Sequence, residues 1–278
     1  MAGHENLKGE SIEMITKRVL VVVCLIAMFA ALYWQTPLAD AQAVPDGLAS
    51  YWNFENVAGK TVRDEVGGND GTIMEGDLKT ARGKFGNGLE FDGKGYVHID
   101  AEVMEFGDGY SITAWIKTAQ NNKPIFSKGN GAAWEQHEKE LYIANAATSE
   151  GPNTGPVEMV GWGCDWIRGS EKVDDDKWHH IAITWDDGAG EGHAYVDGVE
   201  GTHEVTYNGC PDNAGNTIRL GFSESGHSAG NFVGLMDEVR LYERGLTEKE
   251  VNEIMDDAAA VEAADKLTVT WGAIKTSQ

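Results

Sequence analysis

The sequence is short of positive charge, cysteine, proline and long apolar runs, and each shortage closes off a class of protein. Lysine and arginine number 22 against 45 aspartates and glutamates, a formal charge of −23. So acidic a surface repels phosphate backbones and argues against a nucleic-acid partner. A hard cation such as Ca²⁺ is its natural counter-charge, unless the acidity serves solubility alone. Only three cysteines occur, without C-x-x-C spacing, which argues against a zinc site. Neither G-x-S-x-G nor H-E-x-x-H is present. Proline is scarce at 6, whereas glycine is abundant at 35 and tryptophan reaches 9. That balance favours many short strands joined by tight turns.

The one long apolar run, Val19 to Trp34, follows Lys17-Arg18 and precedes Ala41-Gln42-Ala43. A positive segment, an apolar segment and an A-x-A site in that order read as a signal peptide over residues 1–43, cut after Ala43. Met14 is an alternative start that leaves a leader of conventional length. The rival reading is an uncleaved anchor, the chain's only route to a membrane, though the run of roughly 16 residues is shorter than the ~20 a spanning helix prefers. Either reading predicts an exported chain: periplasmic, cell-surface or extracellular. Residues 1–43 carry three of the Lys/Arg and four of the Asp/Glu, so the remainder stays at −22. Of the cysteines, Cys24 lies in the leader, while Cys164 and Cys210 lie in the body and suggest a disulfide.

From Val44 onward, period-two alternation recurs between turn signals. Strands are expected over 50–54, 88–92, 96–100, 110–118, 178–185, 217–221 and 232–242. Gly93-Lys94-Gly95 reads as the turn of a hairpin between the second and third of these. In Tyr110 to Thr118, Ile112, Ala114 and Ile116 share one face. In Trp178 to Trp185, Ile181, Ile183 and Trp185 do so. Asp197-Gly198 predicts a type I′ hairpin turn. Thr247-Glu248-Lys249-Glu250 is a capping box with Leu246 and Val251 as a staple, and Val251, Ile254 and Met255 form the stripe of a short docked helix. About a dozen strands, one late helix and no βαβ alternation predict antiparallel sheets packed face to face, an all-β jelly roll over residues 44–257. Residues 258–278 read as a linker and a tail strand.

Several stretches, in order, resemble the laminin G-like jelly-roll domains of the concanavalin A-like lectin/glucanase superfamily over roughly residues 46–256. They are Leu48–Glu55, Asp64–Thr72, Gly83–Ile99, Tyr110–Lys117, "KWHHIAITWD" with "AYVDG", and Gly234–Val251. The resemblance implies a two-sheet sandwich, frequent use as an adhesive or carbohydrate-binding module, and often one bound calcium. It names no ligand, because this fold hosts many functions.

Candidate sites follow from chemistry. Calcium takes six to eight oxygens, and Glu55, Asp64, Asn69 and Asp237 are the candidate ligands, since first and last strands of such sandwiches tend to be neighbours. Asp64 and Asn69 read equally as Asx-turn formers, and Asp92 and Asp197 as turn formers. Sugar rings stack on aromatic faces beside hydrogen-bonding groups. The stretch Trp134–Trp166 supplies Trp134, Trp162 and Trp166 with Glu135 and His137, and a Cys164–Cys210 bridge would tie it to a later loop. Trp52, Trp115, Trp178 and Trp185 lie in alternating strands and read as packing. Superfamily glucanases carry carboxylates in an E-x-D-x-x-E arrangement, which Glu135, Glu138 and Glu140 do not match. His179-His180 reads as packing rather than metal binding. The expectation is a non-catalytic module whose partner is a polysaccharide, a glycoconjugate or a surface protein; the alternatives are a protein-binding or structural cell-surface domain and, last, a glycan hydrolase.

Overall fold

The structure, a computed structural model, describes residues 46–100, 109–130, 135–136, 138–145, 155–162, 166–186, 188–201 and 217–256. The chain divides into residues 1–43 and 44–278, and all described residues belong to the second unit. The expected leader, Trp134, His137, Cys164, Cys210 and the tail 258–278 therefore lie outside the described residues.

The strands are β1 (Leu48–Trp52), β2 (Val57–Ala58), β3 (Thr61–Val62), β4 (Gly71–Met74), β5 (Lys79–Arg82), β6 (Asn87–Asp92), β7 (Tyr96–Ile99), β8 (Gly109–Lys117) and β9 (Lys123–Gly129). They continue as β10 (Lys139–Ile143), β11 (Val157–Gly161), β12 (Trp166–Arg168), β13 (Trp178–Asp186), β14 (Glu191–Val196), β15 (Val199–Glu200), β16 (Thr217–Leu220) and β17 (Val233–Tyr242). One sheet, sheet A, runs β15-β14-β13-β8-β17-β6-β5, with β1 also beside β17. The other, sheet B, runs β12-β11-β10-β9-β16-β7-β4-β3-β2. The two antiparallel sheets form the expected all-β jelly-roll sandwich.

Period-two alternation places the core between them. Ile112, Ala114 and Ile116 of β8 and Ile181, Ile183 and Trp185 of β13 belong to the same buried cluster as Leu141, Ile143, Met159 and Ile167 of sheet B. Burying each large aliphatic side chain contributes roughly 1.5–3 kcal/mol, so this two-sided pattern fixes the register of both sheets. Trp52 and Trp185 are core residues, and Trp115 packs with Phe85 and Trp178 on the far side of sheet A.

The expected hairpin across Gly93-Lys94-Gly95 is not formed. β6 pairs with β5 and β17 in sheet A, whereas β7 pairs with β4 and β16 in sheet B. The turn is a corner between the sheets, closed by Asp92, whose carboxylate accepts from the amides of Asp77, Lys94 and Gly95. Alternation is the same on both sides of a corner as on both sides of a hairpin, so the pattern alone does not separate them.

The Asp197-Gly198 turn is as expected, with φ of 51° and 77° joining β14 to β15. Helix α1, residues 248–256, starts at the expected cap. The Glu250 amide donates to Thr247 Oγ1 at 3.3 Å, and the Thr247 amide donates to Glu250 Oε2 at 2.9 Å. Leu246, Val251 and Ile254 pack with Ala182, Tyr195 and Tyr242, which docks α1 on the outside of sheet A.

Candidate functional site

Leu141 and Ile143 of β10, Met159 of β11 and Ile167 of β12 point into the core, so their alternate neighbours lie on the outer face of sheet B. The register then sets two rows of chemistry-bearing side chains. One row is Tyr142–Glu158–Arg168; the other is Glu140–Val160–Trp166. The second row continues from Glu140 to Ser127, Arg219 and His98 on β9, β16 and β7. At a strand spacing of about 4.8 Å, Glu140 and Trp166 stand roughly 10 Å apart across the sheet.

Carboxylates dominate this face, and they are buried: Glu138, Glu140 and Glu158 have no exposed surface. Burial pushes Glu140 up to about 7, against the hydrogen bonds of serine hydroxyls from the segment after β16, with Glu224 adding to the rise. Burial likewise raises Glu138, against bonds from the Asn130 and Glu135 amides. Those amides donate at 2.6 and 2.9 Å. Tyr142 donates its hydroxyl to Glu158 at 2.7 Å, and Arg219 pairs with Glu224 at 3.1 Å. These carboxylates are held by hydroxyls, amides and a guanidinium of the chain itself.

The aromatic residues sit at the β11–β12 end. Trp162, just past β11, is 49% exposed, one of the few large apolar side chains at the described surface. Its amide donates to the Glu138 carbonyl at 3.0 Å, which ties it to the carboxylate row. Trp166 is half-buried, with the Arg168 guanidinium 4.6 Å from its ring centre and His227 edge-on at 5.3 Å. Of the sugar-site residues expected from sequence, Glu135, Trp162 and Trp166 thus fall at one end of sheet B. Glu140, Tyr142, Glu158 and Arg168 were not singled out as ligand contacts. Their signal lies in the alternation of "KELYI" and "VEMVG", which puts charged and aromatic groups opposite the core-facing residues. Beside this end, Arg168, Gly192, His193 and Glu200 line a cleft of about 260 Å³ at the edges of β12, β14 and β15.

The expected calcium ligands divide into two groups. Ser50 Oγ donates to Asp64 at 2.7 Å, and the amides of Tyr51, Val66 and Asn69 donate to it at 2.9, 3.0 and 3.0 Å. Burial opposes ionisation of Asp64, but these bonds outweigh it and hold the carboxyl below its usual range. Asn69 completes the network by donating to Ser50. Both residues organise the turn after β3, and the Val66 amide closes an Asx-turn on Asp64.

Glu55 and Asp237 instead converge on the glycine-rich loop 83–88. Glu55 accepts from the Asn87 amide at 2.7 Å and its side chain at 2.8 Å, and Asp237 accepts from the Phe85 amide at 3.0 Å. A β-carbon on Gly83 would stand 2.5 Å from Asp237, and one on Gly86 only 1.9 Å from Glu55, so both glycines are needed for this approach. Asp237 is fully buried, and that burial, with Glu238 and Glu55 nearby, pushes it up to about 8. Glu238 is taken up by Arg240 and Tyr51, so Glu55 and Asp237 are the two carboxylates that face the loop. No cluster of three or more His, Cys, Asp or Glu side chains with metal-binding geometry occurs among the described residues, so backbone oxygens would complete any such shell.

The two histidines of the β13 motif are separated by the pleat. His179 is bonded to Asp197 at 2.8 Å and Asp175 at 2.9 Å. Burial alone would lower its pKa, and the two carboxylates reverse that and raise it. His180 is buried against Trp115, and burial, with Arg240 and Lys84 nearby, lowers it to about 3. Neither position adjoins sheet B's outer face.

A family model described as the concanavalin A-like lectin/glucanases superfamily matches residues 91–252, more than half of the chain. The chain belongs to that superfamily. Among solved structures, this superfamily member is similar to domain 4 of an extracellular arabinanase from Geobacillus stearothermophilus, in complex with arabinotriose. The likeness has a TM-score of 0.59 and 21% identity, over 74% of this chain and 97% of that domain. It is also similar to the binding domain of botulinum neurotoxin DC in complex with rat synaptotagmin II (TM-score 0.53, 13% identity, 78% of this chain). The same toxin domain in complex with SialylT gives a TM-score of 0.50 at 15% identity over 77% of this chain. The chain spans about half of those toxin domains, 52% in each case. Identities this low establish the shared fold. No curated protein matches the sequence. Among the described residues, no helix is long and apolar enough to cross a membrane.

Proposed function

We propose that this superfamily member is an exported, non-catalytic module that binds glycans on the outer face of sheet B. The observation that carries the reading is the position of Trp162. It is an exposed aromatic at the end of β11, bonded through its backbone to Glu138 and beside a row of buried carboxylates. An exposed indole offers a stacking face, whereas the carboxylate row beside it has no exposed surface and meets a ligand's hydroxyls only where its cover is displaced. The arabinotriose-bound arabinanase domain, which shares the fold, supports the reading. Binding is preferred to hydrolysis because Glu135, Glu138 and Glu140 lack the E-x-D-x-x-E spacing of the superfamily's glucanases.

Glu55 and Asp237, with backbone oxygens of loop 83–88, would hold a calcium ion, and the ion would neutralise the buried carboxyl and fasten the loop. Export follows from the leader read in the sequence. The test is retention on columns of immobilised arabinan, xylan and β-glucan. Trp162→Ala should abolish retention while the melting temperature stays within about 1 °C, as expected for an exposed site. Equal retention of wild type and variant would falsify this placement. Capture of a surface protein, with no response to any glycan, would favour a protein-binding module like the synaptotagmin-bound toxin domain.

A further inference from the structure

The segment between β16 and β17 is a closed loop laid across the outer face of sheet B. Its neck is tied by the Phe232 amide, which donates to the Gly221 carbonyl at 2.8 Å. Apolar contacts fasten both sides of that neck. Phe222 stacks on Tyr96 at 4.8 Å, and Phe232 packs edge-on against Phe91 at 5.6 Å. Such compact loops with joined ends are frequent carriers of function.

The tip is held differently. Residues 223–231 read Ser-Glu-Ser-Gly-His-Ser-Ala-Gly-Asn, with alanine the single apolar side chain. Ser225 and Ser228 each donate a hydroxyl to Glu140, one to each carboxylate oxygen. His227 lies 6.3 Å from the Tyr142 ring centre and edge-on to Trp166. Internal bonds preset the shape, with the Ser225 amide donating to Ser223 Oγ and the His227 amide to Ser225 Oγ, both at 3.1 Å. Gly226, at φ +79°, has open space where a side chain would be.

The tip therefore presents to the sheet two hydroxyls at one carboxylate and a flat ring against two aromatics. A saccharide offers the same set of groups. We propose that Glu140, Tyr142 and Trp166 form a saccharide subsite that the chain fills with its own Ser225, His227 and Ser228. The ligand class is a sugar with two neighbouring hydroxyls, and the ligand enters by displacing the tip while the neck stays fixed. This inference rests on the glycan-binding reading and adds to it a covered subsite beyond Trp162. Displacement exchanges hydroxyl–carboxylate bonds for others of the same kind; it also releases Ala229 from Asn122 and Lys123 and uncovers the apolar patch of Tyr142, Val160 and Trp166, on which the sugar ring would then have to stack.

The experiment compares wild type with Ser225→Ala/Ser228→Ala against arabino-, xylo- and gluco-oligosaccharides by calorimetry. Amide exchange of residues 222–231 is followed with and without the tightest-binding sugar. Removing the two competing hydroxyls should tighten binding about tenfold or more, and Glu140→Gln should weaken it in either background. Sugar should speed exchange at the Ser225, His227 and Ala229 amides of the wild type, a readout independent of how well the double variant folds. Binding by the variant alone also supports the subsite. Equal affinities, or exchange that slows or stays unchanged on adding sugar, overturn the subsite and leave the Trp162 site standing. Absence of binding by every form overturns both.

Discussion

Two carboxylates that look alike in sequence should respond differently to the same substitution, one without regard to calcium and the other only through it. Asp64 accepts four hydrogen bonds, three of them from backbone amides. In Asp64→Asn the single amide oxygen serves about half of these donors, and the new NH₂ faces the rest. A buried donor left unmet costs about 1–3 kcal/mol, so the loss comes to roughly 2–4 kcal/mol. For a domain of this size each kcal/mol moves the melting temperature by about 2–4 °C, giving a fall of roughly 5–15 °C with or without calcium. Asp237 lies at the proposed cation site. Calcium at about 100 times its dissociation constant would stabilise the wild type by about 2.7 kcal/mol, a rise of roughly 5–10 °C. Asp237→Asn should abolish that rise. Scanning calorimetry of the three proteins in chelator and in millimolar calcium reads all these numbers. A calcium-dependent rise kept by Asp237→Asn or lost by Asp64→Asn refutes the division of the ligands. A wild type that melts at one temperature in both buffers refutes the cation.

Two further outcomes test the local physics. His179 has its pKa raised by Asp175 and Asp197, so the stability it contributes is fully present below the unfolded value near 6.5. That contribution is lost as pH rises through the elevated folded value. Its partners are partly exposed, so the contribution is about 0.5–1 kcal/mol, and urea midpoints should fall between pH 6 and pH 9 by less in His179→Gln than in wild type. Thr247→Ala removes the α1 cap and should cost about 1 kcal/mol in a urea titration, with glycan retention unchanged. A loss of retention there would tie α1 to the site.

Much of the fold was legible because local and global signals agree in particular places. β8 and β13 alternate cleanly since one face of each meets the core, and the capping box of α1 is a purely local device. Asp197-Gly198 needs positive φ at both positions, which the residue pair announces. The β6–β7 corner misled because whether two strands continue in one sheet or part into two depends on their partners. β17 and β16 lie far away in sequence. The site was legible at Trp162 and Trp166, which stand out as aromatics in a polar, glycine-rich stretch. Glu140 was weighed only for catalytic spacing, and nothing near it in sequence announces Ser225 and Ser228. Their contact spans 85 and 88 residues and exists only once β16 has been laid beside β9. The calcium candidates show the same limit. Asp64 and Asp237 differ in what surrounds them rather than in chemistry.

The pairing of β1 with β17, Leu48 opposite Tyr242, also sets an order of events for the growing chain. A polypeptide made from its amino end carries β1 for almost the whole of the domain's synthesis before its partner strand exists. β6 and β8 wait likewise for β17, whose register passes from β6 to β1 around the positive-φ residue Glu238. Sheet A is therefore completed last and all at once, a topology of distant contacts that folds slowly. Until β17 arrives, three strands hold open edges on which a chaperone could act or neighbouring chains could aggregate.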